Sequence, residues 1–339
     1  MYSDGDLDAA VKAGILSPAA AAGFRAFVAR EQGTTAVDEE QFRLLTGFND
    51  IFVSIAAILL LGAVGWIGNS VNAAVGGAAL AGVSWALAEY FTRRRRMALP
   101  SIVLLLSFVG GMYWLSGGIV ELVLGNAGPA EASFSLAGCA ALTAAATYGH
   151  WRRFRVPITV AAGTVTALST IMFTLLALVP TLKDHWPPLL LIGGLVVFAV
   201  AMWWDASDPT RTTRRSDVAF WLHLSASPMI VHPTFKMLGL LGVNETDTAR
   251  AAAAIGIYLL LALVALAVDR RALLVSALFY VVYAMAALFK AAGTLSASFA
   301  LTALVIGSAL LLLSALWHRV RAAVLVLFPA GLRARLPAG

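Results

Sequence analysis

The residues best suited to chemistry fall in one apolar stretch, Asp217 to Leu241. It carries His223, Ser225, Ser227, His232 and Lys236, and it contains Pro228 and Pro233. Ionisable groups at membrane depth are costly and usually face a protein interior or a water-filled cavity. Each proline removes a donor and frees the carbonyl four residues earlier, here those of Leu224 and Met229. Broken backbone of this kind is tolerated in a membrane only where side chains, neighbouring helices or water satisfy it. The chemistry implied is proton relay or ligand binding at a proline-broken helix, since histidine titrates near physiological pH. The bland alternative is that these groups hydrogen-bond neighbouring helices and that the prolines merely bend the span.

Spacing sorts the candidates. His223 and His232 are nine residues apart, about 13 Å along an ideal helix and half a turn out of phase. His223 shares a face with Ser227, and His232 with Lys236. Lys290 follows Tyr280 and Tyr283 near the end of another apolar run. It either snorkels to the headgroups or faces a vestibule shared with Lys236. The substrate-binding or proton-relay set is therefore His223, Ser227, His232, Lys236 and Lys290.

The elements that must position these residues are membrane helices. The chain is 60% hydrophobic and 12% charged, with a mean hydropathy of +0.85, whereas soluble domains carry about 25% charged residues. From Asn49 on, apolar runs of about twenty residues recur, the length that crosses the hydrocarbon layer as helix. Ten are read: 50–68, 73–92, 98–117, 132–150, 156–179, 187–204, 217–241, 249–268, 272–291 and 295–317. The expected fold class is all-α and polytopic. Its organisation is a small helical region over 1–47, a transmembrane bundle over 48–318 and a basic interfacial tail over 319–339.

Orientation follows from the basic residues. All but four of the 24 lysines and arginines fall in 1–47, in the tail, or after an even-numbered span. The exceptions are Lys183, Lys236, Arg250 and Lys290. Both termini are thus expected in the cytoplasm, with the bundle in a bacterial inner membrane. Trp66, Trp114 and Trp186 fall at outer ends, and Trp151, Trp203, Trp204, Trp221 and Trp317 at inner ends, as an aromatic belt requires. The first apolar run begins too late for a signal peptide. Anionic lipid at the cytoplasmic face is the partner expected for the tail. Residues 1–47 are a candidate protein-docking region.

The inventory of enzyme signatures is negative. There is no His-Glu-x-x-His helix, no Gly-x-Ser-x-Gly elbow and no dinucleotide fingerprint. The single cysteine, Cys139, excludes an internal disulfide and a cysteine-based metal cage. No cofactor or metal is called for, and topology accounts for the arginines without nucleic acid. No carboxylate pair stands within a span, which weakens a cation-pump reading. Glu89 is expected to pair with Arg93, and Asp205 and Asp208 read as interfacial charges. The patches Gly62-x-x-Gly65, Gly76-Gly77, Gly110-Gly111, Gly117-Gly118 and Gly193-Gly194 are close-packing signals.

In 1–47, Ser17-Pro18 reads as an N-cap with proline at the first helical position, after a stop at Gly14. A hairpin closing on Leu7, Ala10, Val11, Phe24, Phe27 and Val28 is expected, then an amphipathic helix from Asp38. The stretch from Leu7 to Ala29, with its Gly14-to-Pro18 turn, resembles the start of the bacterial membrane proteins grouped as domain of unknown function 2157. That resemblance implies a cytoplasmic helical region ahead of many spans and carries no activity to transfer. Three functions remain open: a secondary transporter or channel-like protein, a non-catalytic sensor or assembly scaffold, and a membrane-embedded or lipid-handling enzyme using His223 or His232 as base.

Overall fold

A computed structural model describes residues 4–31, 48–125, 129–208, 211, 213–239, 248–291, 298–326 and 328–329. Every regular element among them is helical.

Residues 1–41 form a unit of their own, built from α1 (Asp4–Lys12) and α2 (Pro18–Glu31). The Ser17 hydroxyl accepts from Ala20 N–H at 3.1 Å, and Gly14 has φ +71°, so the cap and the stop stand where the sequence puts them. Arg25 Nη2 meets Asp8 Oδ1 at 2.8 Å, joining the two helices. Ala21 is buried, but Phe24 and Phe27 stay exposed, so the hairpin does not close on its phenylalanines as expected. The amphipathic helix expected from Asp38 lies outside the described residues.

The second unit begins at Phe42. Its described helices are α3 (Phe48–Asn69), α4 (Ala73–Ala88), α5 (Ala98–Leu124), α6 (Pro129–Phe154), α7 (Ile158–Leu178), α8 (Trp186–Ala206), α9 (Arg214–Met237), α10 (Thr248–Val268), α11 (Ala272–Ala291), α12 (Ser298–Ala315) and α13 (Trp317–Val326). A π-helical turn, Glu89–Arg94, continues α4, and a 3-10 turn, Pro180–His185, leads into α8. Each of the ten apolar runs coincides with one helix, α3 to α12. By length and composition, six are apolar enough to cross a membrane: α3, α4 with its π turn, α5, α7, α8 with its 3-10 turn, and α10. α12 and α13, bent by 80° at their junction, count together as a seventh. α6 and α9 fall short on hydropathy, α6 through its serines, threonines and glycines and α9 through its histidines, serines and prolines, while α11 counts only as a shorter apolar helix, Leu274–Ala286.

Large apolar side chains cover the outside of the bundle, among them Phe52, Ile55, Leu59, Trp66 and Leu122. An apolar exterior on this scale fits lipid as the solvent. Helix–helix association in lipid depends on close packing at small residues. A Cβ on Gly77 would stand 2.2 Å from Leu115 N, and one on Gly118 2.2 Å from Ala74 N. Gly111 meets Ala81 in the same way. Gly62, Gly110 and Gly117 face open space. In the α5 pairs Gly110-Gly111 and Gly117-Gly118 one glycine makes the α4–α5 contact and the other faces outward, whereas in Gly76-Gly77 both are packed, Gly76 against Asn69 of α3.

α9 touches α7, α8 and α11. Val218, Leu222 and Ala226 pack with Ala161 of α7 and with Val197 and Ala201 of α8. Further along, Val231 and Phe235 pack with Ala251 and Ala254 of α10 and with Ala277 and Ala284 of α11. Pro228 and Pro233 both lie inside α9, and the helix runs through them. The proline-broken helix of the sequence reading is therefore a continuous one. A Cβ at Gly194 would stand 2.8 Å from the Met229 carbonyl carbon, so α8 lies directly against the backbone just past Pro228.

Candidate functional site

The expected site residues separate into two places on α9. Toward its N-terminal half, His223 and Ser227 are fully buried. His223 Nε2 lies 2.9 Å from Asp205 Oδ2, and its ring meets Phe198 edge-on at 5.1 Å. Toward the other end, His232 Nδ1 lies 2.7 Å from the Tyr280 hydroxyl, and its ring stacks on Trp186 at 5.8 Å. Lys236 Nζ sits 4.5 Å from the centre of the same indole, a cation–π arrangement. His232 and Lys236 do share a face, and His223 and His232 do not meet. The side chain of Lys290 lies outside the described residues.

Around His223 the network is wider. Asp205 stands in the last turn of α8, where a carboxylate faces the negative end of the helix dipole. Compensation comes from outside the helix. Arg270, at the turn between α10 and α11, donates through Nη2 to Asp205 Oδ1 and through Nε to Oδ2 at 3.3 Å. The same Nη2 reaches the Ser216 carbonyl and hydroxyl, each at 3.3 Å. Asp205, His223 and Arg270 are all buried, at 2%, 0% and 1% exposure. A carboxylate that accepts from His223 requires a proton on Nε2, which in the neutral ring leaves Nδ1 as an acceptor. Nδ1 is buried with no hydrogen-bond partner.

A second knot lies beside it. Asp269 closes α10 in the left-handed region, φ +62°, a conformation that aspartate tolerates better than most residues. Its carboxylate accepts from Arg211 Nη1 at 2.9 Å and from Trp317 Nε1 at 2.8 Å, with Arg321 Nε at 3.3 Å. Both arginines also cap the end of α10. Arg321 Nε donates to Leu266 O at 3.1 Å, and Arg211 Nη2 to Val268 O and Asp269 O, each at 3.3 Å. Cations there complement the dipole and satisfy orphan carbonyls. Asp208 Oδ2 accepts from the Thr213 amide at 2.9 Å and from its hydroxyl at 2.7 Å. Thr213 in turn caps α9 by accepting from Arg215 N–H at 3.2 Å.

Among the buried charges at this end, Asp205, Asp208 and Asp269 balance Arg211, Arg270 and Arg321. With His223 neutral these charges balance, and one proton on its imidazole would change the net charge of the whole buried set.

Sequence reasoning placed Asp205 and Asp208 at the interface and used Arg211, Arg270 and Arg321 only as orientation markers. All five are buried. Trp317, assigned to the aromatic belt, is buried under Arg271, whose Cζ lies 4.8 Å from its ring centre. The tail also does more than rest on lipid, since α13 packs on α10. The legible signal was a carboxylate closing an apolar run, Asp205 and Asp269, with arginines within a few residues. Glu89 does pair with Arg93, at 3.2 Å, and also takes a two-pronged contact from Arg153 at 2.7 and 3.0 Å.

Elsewhere among the described residues lie further clefts, three of which matter here. One of about 700 Å³ between α5, α6 and α7 is lined by Tyr113, Trp114, Thr143, Thr166 and Ser169. A second, of about 560 Å³, lies between α6, α7 and α8, and a third, of about 340 Å³, between α3, α4 and α5. None of the three is lined by His223, Ser227, His232 or Lys236. Comparison with protein-family models, curated proteins and solved structures gives no significant match, so the functional reading rests on geometry.

Proposed function

We propose that this chain is a secondary transporter or channel-like protein for a small solute or ion, with the His223–Asp205–Arg270 cluster as its proton-responsive element. It spans a bacterial cytoplasmic membrane about ten times, through α3 to α12, with both termini in the cytoplasm. The burial of His223 against a paired Asp205 carries this reading. A titratable imidazole is joined there to a charge-balanced set that ties α8, α9, the α10–α11 turn and α13 together. Protonation would put an uncompensated charge into that set, and buried charge of this kind is relieved by rearranging partners. α9 contacts α7, so a shift at His223 has a direct mechanical route to the 700 Å³ cleft, a size suited to small molecules. Thr143, Thr166 and Ser169 donate back to their own helices, which leaves their oxygens as acceptors toward that cleft.

A scaffold reading has its own support. The ionic partners in both knots satisfy one another, as a static latch would. Melting curves in detergent against a panel of small solutes and ions, for wild type and His223→Gln, separate the two. Transport predicts a solute that raises the wild-type midpoint by an amount that depends on pH, and a loss of that pH dependence in the variant. A latch predicts no stabilising solute and a lower midpoint for the variant, whose contact with the buried Asp205 is lost or weakened.

A further inference from the structure

We infer that the groove between α6, α7 and α8 is a binding site for one anionic glycerophospholipid, its acyl chain along the groove and its phosphate between Arg152 and Arg155. The inference rests on these helices crossing a membrane and is independent of the transport reading. The groove has a volume of about 560 Å³ and is walled by Leu168, Ile171, Val196, Trp151 and Trp204. From Thr159 to Ile171 it follows α7 for twelve residues, about 18 Å of helix. That is close to the depth of one leaflet, half of a hydrocarbon core of about 30 Å.

The polar end carries three independent features. Arg152 donates through Nη1 to the Tyr148 hydroxyl at 3.1 Å, with its Cζ 5.9 Å from that ring's centre. Arg155 lies over Trp151, Cζ to ring centre 5.5 Å. Tyr148 and Trp151 are themselves groove residues, so both guanidiniums are held at the groove's mouth by its own walls. Both are exposed, and among the described residues neither has a carboxylate partner; Glu89 takes up the intervening Arg153. Thr159, also on the lining, is 1% exposed, and its hydroxyl has no hydrogen-bond partner. An ester carbonyl of the glycerol backbone is the acceptor this donor calls for.

Lipid tails are as apolar as the groove, so burial alone gives no preference. Shape admits the chain, and charge selects the headgroup. Native mass spectrometry of the full chain in detergent, with phosphatidylglycerol and phosphatidylcholine of identical chains, reads this directly. The expected result is one retained phosphatidylglycerol, preferred by up to about thirtyfold, the size that two arginines beside a net-anionic rather than zwitterionic headgroup supply. Arg152→Gln with Arg155→Gln should abolish the preference. Ala167→Trp, at an exposed position on the lining, should block retention of both lipids at unchanged melting temperature. Arg94→Gln with Arg95→Gln, remote in sequence from the groove, should leave the preference intact, and excess inorganic phosphate should not displace the lipid. Equal retention of the two lipids overturns the proposal. So does a loss of preference in the Arg94/Arg95 variant equal to that at Arg152/Arg155, or displacement by phosphate alone.

Discussion

Asp205 is the residue on which most depends. It accepts from His223 and Arg270 in a site that is almost fully closed to solvent. Removing one partner of a buried pair leaves the other charge uncompensated, at a cost of about 3–5 kcal/mol. Asp205→Ala should therefore lower the detergent melting midpoint strongly. Asp205→Ala combined with Arg270→Ala should cost less than the sum of the two single changes, because neither charge is then stranded. At the far end of α9 the stakes are smaller. His232→Phe keeps the stacking on Trp186 and removes only the hydrogen bond to Tyr280, a loss of about 1 kcal/mol. The pairing of His232 with Lys236 was readable from the four-residue repeat of a helix. The partner of His223 was not, because Asp205 lies on a different helix and nothing in a single sequence gives the registration of two spans.

At the scale of elements, the α4–α5 contact is made by glycines whose neighbours are backbone atoms, which cannot step aside. Gly118→Leu should cost at least the 1–3 kcal/mol of an overpacked core, whereas Gly117→Leu, facing open space, should stay within about 0.5 kcal/mol of wild type. The doublets announced this packing, although the sequence could not say which glycines face inward. α13 is the element most changed by the structure. Its basic residues read as a lipid-surface helix, yet Trp317 and Arg321 are buried on Asp269. Trp317→Ala should cost about 3–5 kcal/mol, the penalty of emptying a large core site, as read by thermal melting. A true surface helix would lose almost nothing. The prolines of α9 misled in the opposite direction. Two in one stretch argued for a break, but the helix continues through both, with Gly194 allowing α8 to lie against it.

For the whole molecule, hydropathy and charge made the all-helical membrane class plain, and each apolar run became a helix. Six of those helices are apolar and long enough to span, or seven with the bent α12–α13 pair. α6 and α9 carry polar side chains that lower their hydropathy, and in α9 two of these, Ser216 and His223, are buried and belong to the network. The proposed topology is checked by single cysteines in a Cys139→Ser background. Arg94→Cys and Ser207→Cys should react only from the cytoplasm, and Gly125→Cys and Asp184→Cys only from outside. Reaction of all four from one side would refute ten spans.

In the function proposed above, a proton on His223 governs movement through the bundle. Its most direct test is electrical. Proteoliposomes on a solid support receive rapid jumps of solute at several pH values, for wild type and His223→Gln. At least one solute class should produce a charge-moving transient in wild type, with an amplitude set by pH, and the folded variant should give a response that no longer varies with pH. A wild-type transient whose pH dependence survives in His223→Gln, or silence across the panel from well-folded wild type, would contradict it.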